Sequence, residues 1–160
     1  MDTPAGHYDV IIAGAGGMGS AVAYHLARRG CRVLAIDRFN PPHEMGSSHG
    51  LTRIIRLAYH EDPSYVPLLC RAYALWRDLE HASGERVLHI TGALEIGVPG
   101  SEISDGALAS CRIHNLPHEI LTSQQISQRF PAYRLPQQYT GVLQPDGGFL
   151  DPERCIAAHL

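Results

Sequence analysis

Gly14, Gly16 and Gly19 stand as G-x-G-x-x-G within the stretch YDVIIAGAGGMGSAVAYHLARRGCRVLAID, which runs from Tyr8 to Asp37. The chemistry that this spacing can do is to hold the pyrophosphate and ribose of a dinucleotide. Gly14 allows a sharp turn, Gly16 has no Cβ to keep a pyrophosphate away, and Gly19 lets the following helix lie close to the strand. Asp37 is a carboxylate placed to receive ribose hydroxyls, and it argues against a cofactor carrying a 2′-phosphate there. Gly17 and Met18 in the turn, and Arg38 beside Asp37, complete this candidate cofactor set. A glycine turn used only for packing is the plainer alternative, but it gives no reason for the strand, the helix and the acid arriving in order. The motif does not by itself separate NAD from FAD.

A second candidate is Thr52-Arg53-Ile54-Ile55-Arg56-Leu57-Ala58-Tyr59. If this stretch is helical, Arg53 and Arg56 share a face. An arginine can grip a carboxylate through two parallel hydrogen bonds, so the pair suits an anion in a partly buried site. A solvated basic face that pairs with Glu61 and Asp62 fits the residues equally well. The preceding loop, residues 38–52, carries Pro41-Pro42 and the small run Gly46-Ser47-Ser48-His49-Gly50. It reads either as a flexible connection or as a loop lying against a flat ligand, where small residues let the backbone come close.

These residues need elements to position them. Val10 to Ala13 is an apolar run of the kind a parallel strand shows when both faces are buried. A helix is predicted from about Gly17 to Arg29, its N–H groups aimed at the pyrophosphate and Gly30 ending it. A second strand runs from Arg32 to Ile36. A helix from Pro63 to about Ala82 repeats Leu68, Leu69, Ala72, Leu75, Trp76 and Leu79 at helical spacing, which assigns Tyr73 and Trp76 to a core. Residues 87–98, VLHITGALEIGV, alternate as strands of a second sheet with Gly92 as a bend. A weaker helix from Ser101 to about Asn115 is interrupted by Gly106, and His118 to Leu121 is a short strand. Thr122 and Gln125 form a capping box. Residues 137–150 read as two strands joined in a hairpin around Pro145-Asp146-Gly147-Gly148. Asp151-Pro152-Glu153 opens a last helix, with Asp as N-cap and Pro at the first helical position.

Composition sets the class. The chain has 160 residues, 44% of them hydrophobic and 18% charged, and a formal charge of −3, which gives no sign of nucleic-acid or anionic-membrane binding. No apolar run approaches the roughly 20 residues needed to span a bilayer. The start, MDTPAGHYDV, lacks the basic and apolar parts of a signal peptide. Cys31, Cys70, Cys111 and Cys155 are widely spaced, which suits free thiols in a reducing cytoplasm. The histidines show no metal-ligand spacing, and no metal site is expected. The chain stops soon after its last helix begins, and two parallel strands are few for a doubly wound domain. The expectation is the N-terminal part of a longer protein.

Several blocks together resemble the monomeric sarcosine oxidase family, which includes N-methyl-tryptophan and pipecolate oxidases within the glycine/D-amino-acid oxidase fold. They are YDVIIAGAGGMGSA, PPHEMGSSHGLTRIIRLAYHED, YVPL, LW, TGALEIG, QRFP and GGFLDPE, in that order along the chain. The resemblance implies FAD rather than NAD. It implies an α/β fold with a Rossmann-like FAD-binding domain of the GR2 type and the start of a mixed-sheet substrate domain. Residues 1–85 would be the first FAD-binding segment, 86–149 the first substrate-domain segment, and 150–160 the return to the FAD domain. Ser47, Ser48, His49 and Thr52 match the loop beside the flavin. Arg53 matches the arginine near the isoalloxazine ring, and Arg56 the one that grips the substrate carboxylate; both would be catalytic. Glu61 would hold Arg56 when substrate is absent. The implied reaction oxidises a secondary amino acid, N-methyl or cyclic, to an imine that water hydrolyses, with O2 reduced to H2O2 by a cytoplasmic monomer. The family's flavin-linking cysteine and its lysines fall later than residue 160, and this sequence has no lysine. Activity is therefore expected only in a longer protein. A related FAD-dependent amino-acid dehydrogenase, or a non-catalytic FAD-binding remnant if 160 residues is the true length, are the alternatives.

Overall fold

The computed structural model describes residues 6–160; Met1 to Ala5, half of the stretch read above for a leader, lie outside the described residues. The chain divides into two compact units.

Among the described residues, the first unit holds 6–53, 78–87 and 150–160. Its centre is a strand, helix, strand unit: β1 (Val10–Ala13), α1 (Gly17–Ala27) and β2 (Val33–Ile36). The strands pair in parallel, with Val10 opposite Val33 and Ala13 opposite Ile36. The turn from β1 into α1 requires two of its glycines for different reasons. Gly14 has φ +94°, which favours a residue without Cβ. A Cβ on Gly19 would stand 1.8 Å from the Gly14 carbonyl oxygen and 3.3 Å from the Ile12 side chain. Helix and strand thus meet at backbone distance. α1 closes through Arg28, with Gly30 at φ +84°. The last helix of the chain, α5 (Pro152–His159), packs on α1 and is capped by Asp151, whose carboxylate accepts the Arg154 N–H. Sequence reading puts both faces of β1 in a core. Instead Ile12 faces α1 while Ile11 is 64% exposed, because the helix covers only one side of the two-stranded sheet.

The second unit holds residues 54–77 and 88–149. Arg53–Ile55 is β3, a strand and not a helix, so Arg53 and Arg56 do not share a helical face. A 3-10 turn at Pro63–Tyr65 leads into α2 (Val66–Ser83), the helix along which the division between the units falls. Tyr73 is buried and donates its hydroxyl to the Asp146 carbonyl at 2.8 Å, as a core tyrosine should. Leu68, counted with the apolar repeat, is exposed.

Two sheets complete the unit. β4 (Leu88–Ile90) lies in a sheet of order β3-β8-β4, whereas β5 (Ala93–Gly97) lies in one of order β5-β7-β6. The run 87–98 therefore changes sheets at Gly92, whose φ is +83°. The same happens at Pro145-Asp146-Gly147-Gly148. β7 (Thr140–Gln144) pairs antiparallel with β5 and with β6 (Glu119–Thr122), while β8 (Gly148–Leu150) belongs to the other sheet. The expected hairpin is thus a crossover. Its glycines are demanded by contact: a Cβ on Gly148 would lie 1.9 Å from the His89 carbonyl oxygen, and one on Gly147 2.3 Å from the Ala93 side chain.

α3 (Glu102–Ile113) runs unbroken through Gly106. The glycine is there because a Cβ would come within 2.1 Å of the His60 carbonyl oxygen, so the loop after β3 lies directly on the helix. Ala107 and Cys111 of α3 bury themselves with Ala58 and Val142 in one core cluster, and Leu121, Ile126 and Leu143 form another. α4 (Ser123–Arg129) carries the expected reciprocal cap. Thr122 Oγ1 accepts the Gln125 N–H at 3.3 Å, and Gln125 Oε1 accepts the Thr122 N–H at 2.8 Å.

Candidate functional site

The first unit contains a cavity of about 450 Å3. The glycine turn, Asp37, the Pro41-Pro42-His43 run and Gly46-Ser47-Ser48 line it, with Ile156 of α5 contributing an apolar wall. A Cβ on Gly16 would meet nothing within 4 Å, so its missing side chain leaves space rather than making a contact. Gly16 is also the N-cap of α1, where it offers no side-chain acceptor, and no acid lies in the first turn. No acid of its own first turn occupies the positive helix end, which suits a pyrophosphate. Ser48 Oγ reaches that end and accepts the Gly17 N–H at 3.3 Å. Met18 sits in the pocket lining and is highly exposed.

Asp37 is tightly organised. Its Oδ2 accepts the Ala15 N–H at 2.7 Å, and its Oδ1 accepts the Phe39 N–H at 3.0 Å with His43 Nε2 3.1 Å from the same oxygen. The backbone donors at Phe39 and Ala15, in that order, hold its pKa down at about 2. The group is therefore an ionised acceptor throughout the neutral range, as two ribose hydroxyls need. Sequence reading missed His43. Its signal was proximity alone, a histidine six residues past Asp37 and behind two prolines. Arg38 turns instead onto the Phe39 ring, 5.5 Å from its centroid.

The loop that walls the cavity is held by Arg53. Its guanidinium donates to the carbonyls of Ser47 at 2.6 Å, His49 at 2.8 Å and Thr52 at 2.8 Å. Arg53 therefore organises the loop containing Ser47, Ser48, His49 and Thr52, and its own backbone begins β3. Glu153, in the first turn of α5, accepts the Gly50 N–H at 3.1 Å and ties the same loop down. The sequence reading placed Glu153 only at the start of the last helix.

Arg56 stands in the second unit among acids. Its Nε lies 2.7 Å from Glu95 Oε1, not aligned as a hydrogen bond, and its Nη2 lies 3.4 Å from both oxygens of Glu61. The Tyr59 ring lies 4.6 Å from the guanidinium carbon. The side chains of Arg56 and Glu95 are 19% and 11% exposed, against 45% for Glu61. Glu61 is thus the partner that can leave for solvent. Glu95 on β5 and His60 were not singled out from the sequence. Glu95 is the one charged residue in the alternating run VLHITGALEIGV, and that was the available signal.

A parallel strand-helix-strand unit with an open glycine turn, a helix N-terminus without an acid in its first turn and an ionised acid after the second strand defines a dinucleotide-binding α/β protein. More narrowly, the chain belongs to the FAD dependent oxidoreductase family, which it matches over residues 9–160. FAD is the cofactor of that family, which settles the choice the glycine motif left open; the cavity, the open space at Gly16 and the ionised Asp37 fit it. The chain is 44% identical over 153 residues to a monomeric sarcosine oxidase of Streptomyces avermitilis, covering 96% of this chain and 40% of that protein. It is 40% identical over 149 residues to an N-methyl-L-tryptophan oxidase of Yersinia pestis, covering 93% of this chain and 40% of that one. Among solved structures it resembles NikD, an unusual amino acid oxidase essential for nikkomycin biosynthesis, with a TM-score of 0.82, 35% identity and coverage of 95% of this chain and 39% of that one. The chain thus spans about 40% of the length of the relatives it matches. Among the described residues no helix is long and apolar enough to cross a membrane.

Proposed function

We infer that the protein is an FAD-dependent oxidase of secondary amino acids, N-methyl or cyclic. The observation that supports this best is the pairing within one chain of a flavin-dinucleotide pocket with an acid-held, largely buried Arg56. The relatives named sarcosine and N-methyl-L-tryptophan oxidase support that substrate class.

In this reading Gly14, Gly16, Gly17, Met18 and Gly19 receive the pyrophosphate at the N-terminus of α1, and Asp37 accepts the ribose hydroxyls. Arg53 keeps the Ser47 to Thr52 loop in place as a wall beside the cofactor. Bound FAD supplies the two-electron acceptor. Arg56 takes the substrate carboxylate in place of Glu61, and so fixes the amino acid by the end that does not react. The substrate's N–CH unit gives up two electrons and two protons, one from carbon and one from nitrogen, to leave an imine. Water then converts the imine to the primary amino acid and an aldehyde, and O2 takes the two electrons with two protons to give H2O2. With FAD bound, the positive charge of Arg53 in that loop would favour a reduced, anionic cofactor.

The test is anaerobic mixing of the FAD-loaded protein with sarcosine, N-methyl-tryptophan and pipecolate, followed by admission of O2. Loss of the oxidised-flavin absorbance with one of them, then H2O2 in equal amount, is the expected result. Flavin that is bound but reduced by none of them refutes the reading and leaves an FAD-binding protein. Reduction without peroxide on reoxidation converts it to a dehydrogenase.

A further inference from the structure

His43 lines the cavity, and the polar edge of its ring is spent inside the protein. Nε2 lies 3.1 Å from Asp37 Oδ1, and Nδ1 accepts the Met45 N–H at 3.2 Å. A backbone N–H can only donate and an ionised carboxylate can only accept, so the ring carries its proton on Nε2 and gives it to Asp37. Between the two nitrogens, Cε1 faces Gly46, where a Cβ would stand 3.7 Å away. The Phe39 ring meets the imidazole at 5.2 Å and 65°. The side chain is nonetheless 18% exposed. What it has left to offer a ligand is carbon and ring face, not a hydrogen bond.

The direction of support follows from Asp37. Each oxygen of that carboxylate already takes a backbone N–H, Oδ2 from Ala15 and Oδ1 from Phe39. Asp37 therefore keeps its place without His43, whereas the imidazole owes its orientation to Asp37 and Met45. Pro41 and Pro42 share the cavity lining and add two apolar rings without N–H groups. Contact by contact, the wall runs from Ala15 in the glycine turn to the ionised Asp37, and from Asp37 to the His43 ring. A pyrophosphate, a ribose and a purine follow one another in the same order along adenosine diphosphate. A neutral heteroaromatic base stacks on a ring face without needing hydrogen bonds from it, and a ring face is what this end of the cavity supplies.

We propose that the imidazole of His43 is the stacking surface for the adenine of FAD, with Pro41 and Pro42 beside it. His43 thus binds the cofactor directly and is not a support for Asp37. This rests on Asp37 being the ribose acceptor, and it is independent of which amino acid is oxidised.

The experiment titrates the flavin-free protein with ADP, inorganic pyrophosphate and FMN, followed by calorimetry. ADP carries the base, the ribose and the pyrophosphate, whereas FMN carries the flavin half alone. His43→Ala should weaken ADP by about fivefold or more and leave pyrophosphate and FMN as in the parent. His43→Phe keeps an aromatic face without ring nitrogens and should bind ADP within about twofold of the parent. His43→Gln keeps a donor for Asp37 without the ring and should behave as the alanine variant does. The opposite pattern, Gln retaining ADP and Phe losing it, makes His43 a support for Asp37 and overturns the inference. Unchanged ADP affinity in His43→Ala overturns it, and so does a loss confined to FMN, which gives the ring to the flavin. Equal loss of ADP and pyrophosphate in all three variants makes the role merely structural and overturns it too. ADP that fails to bind the parent, or that binds the parent and Asp37→Asn alike, removes the ribose site itself and the inference with it.

Discussion

Gly16 and Gly19 belong to one motif but are separated by what a methyl group would meet, and substituting each with alanine tests the whole reading of the turn. At Gly19 the new Cβ would lie 1.8 Å from the Gly14 carbonyl oxygen and 2.9 Å from its carbon, both backbone atoms of the turn. Ordinary contact begins near 3.4 Å, so α1 or the turn must retreat by about 1.6 Å. Overpacking costs about 1–3 kcal/mol, and a clash with backbone that cannot rotate away falls at the upper end, about 3 kcal/mol. For a chain of this size that lowers Tm by roughly 6–12 °C. At Gly16 the same methyl meets nothing within 4 Å, and φ is −73°, which alanine adopts freely. Replacing an N-cap glycine costs at most about 1 kcal/mol, a shift of roughly 2–4 °C. The methyl does project where the pyrophosphate should lie, so FAD affinity should fall by at least about tenfold.

Thermal unfolding without added FAD, and flavin titration followed by fluorescence quenching, read the two quantities apart. Gly19→Ala should lose stability and flavin together. Gly16→Ala should lose flavin with stability nearly intact. If Gly16→Ala binds FAD as the parent does, the cavity is not the cofactor's path and Gly16 only shapes the chain. If Gly19→Ala melts with the parent, the close approach of α1 to β1 is wrong.

Three further outcomes follow from the same geometry. Asp37→Asn removes the ionised acceptor and should weaken FAD by about tenfold or more. With the folded pKa near 2, below the usual 3.8, the carboxylate's contribution to stability is complete above about pH 4 and is lost as pH falls through 2. Acid titration of the parent should therefore show a loss of stability below pH 4 that Asp37→Asn lacks, and equal acid sensitivity would remove this role. Burial pushes the thiols of Cys111 and Cys155 up to about 11 and 12, while Cys31 is part-exposed and Cys70 exposed. Iodoacetamide at pH 8 should label Cys70 and Cys31 first, and the buried pair only in denaturant, as peptide mass spectrometry will show. Gly106→Ala would drive a Cβ to 2.1 Å from the His60 carbonyl oxygen, so it should cost about 3 kcal/mol and lower Tm by several degrees. An unchanged Tm would mean that the loop does not rest on α3.

What the sequence disclosed was local. The glycine turn, the α4 capping box and the Asp151 cap each involve residues within a few positions, and their chemistry carries its own geometry. Glycines whose reason is a distant neighbour misled. Gly106 looks like a break because glycine costs a helix about 1 kcal/mol. It is retained inside α3 because any side chain would strike His60, 46 residues away. Gly147 and Gly148 look like a hairpin turn because the residue types that turn a chain back on itself also pass it from one sheet to another. Only the contacts with Ala93 and His89 tell the two apart.

The surroundings of Arg56 were out of reach for a sharper reason. Its importance followed from resemblance, and Glu61 was close enough along the chain to suggest itself. Glu95 reaches Arg56 only because β5 pairs with β7 in the register that sets Glu95 opposite Val142. A slip of one residue would send its side chain to the other face of the sheet and leave Arg56 with Glu61 alone. No local preference fixes that register. It is fixed by where Leu94 must lie, packed against Leu121, Ile126 and Leu143 in the core beside α4. Because successive side chains on a strand alternate in direction, burying Leu94 on that face puts Glu95 on the opposite one. The acid beside the arginine is therefore a consequence of a hydrophobic choice one residue earlier, made in a sheet whose other strands lie 25 to 50 residues further along the chain.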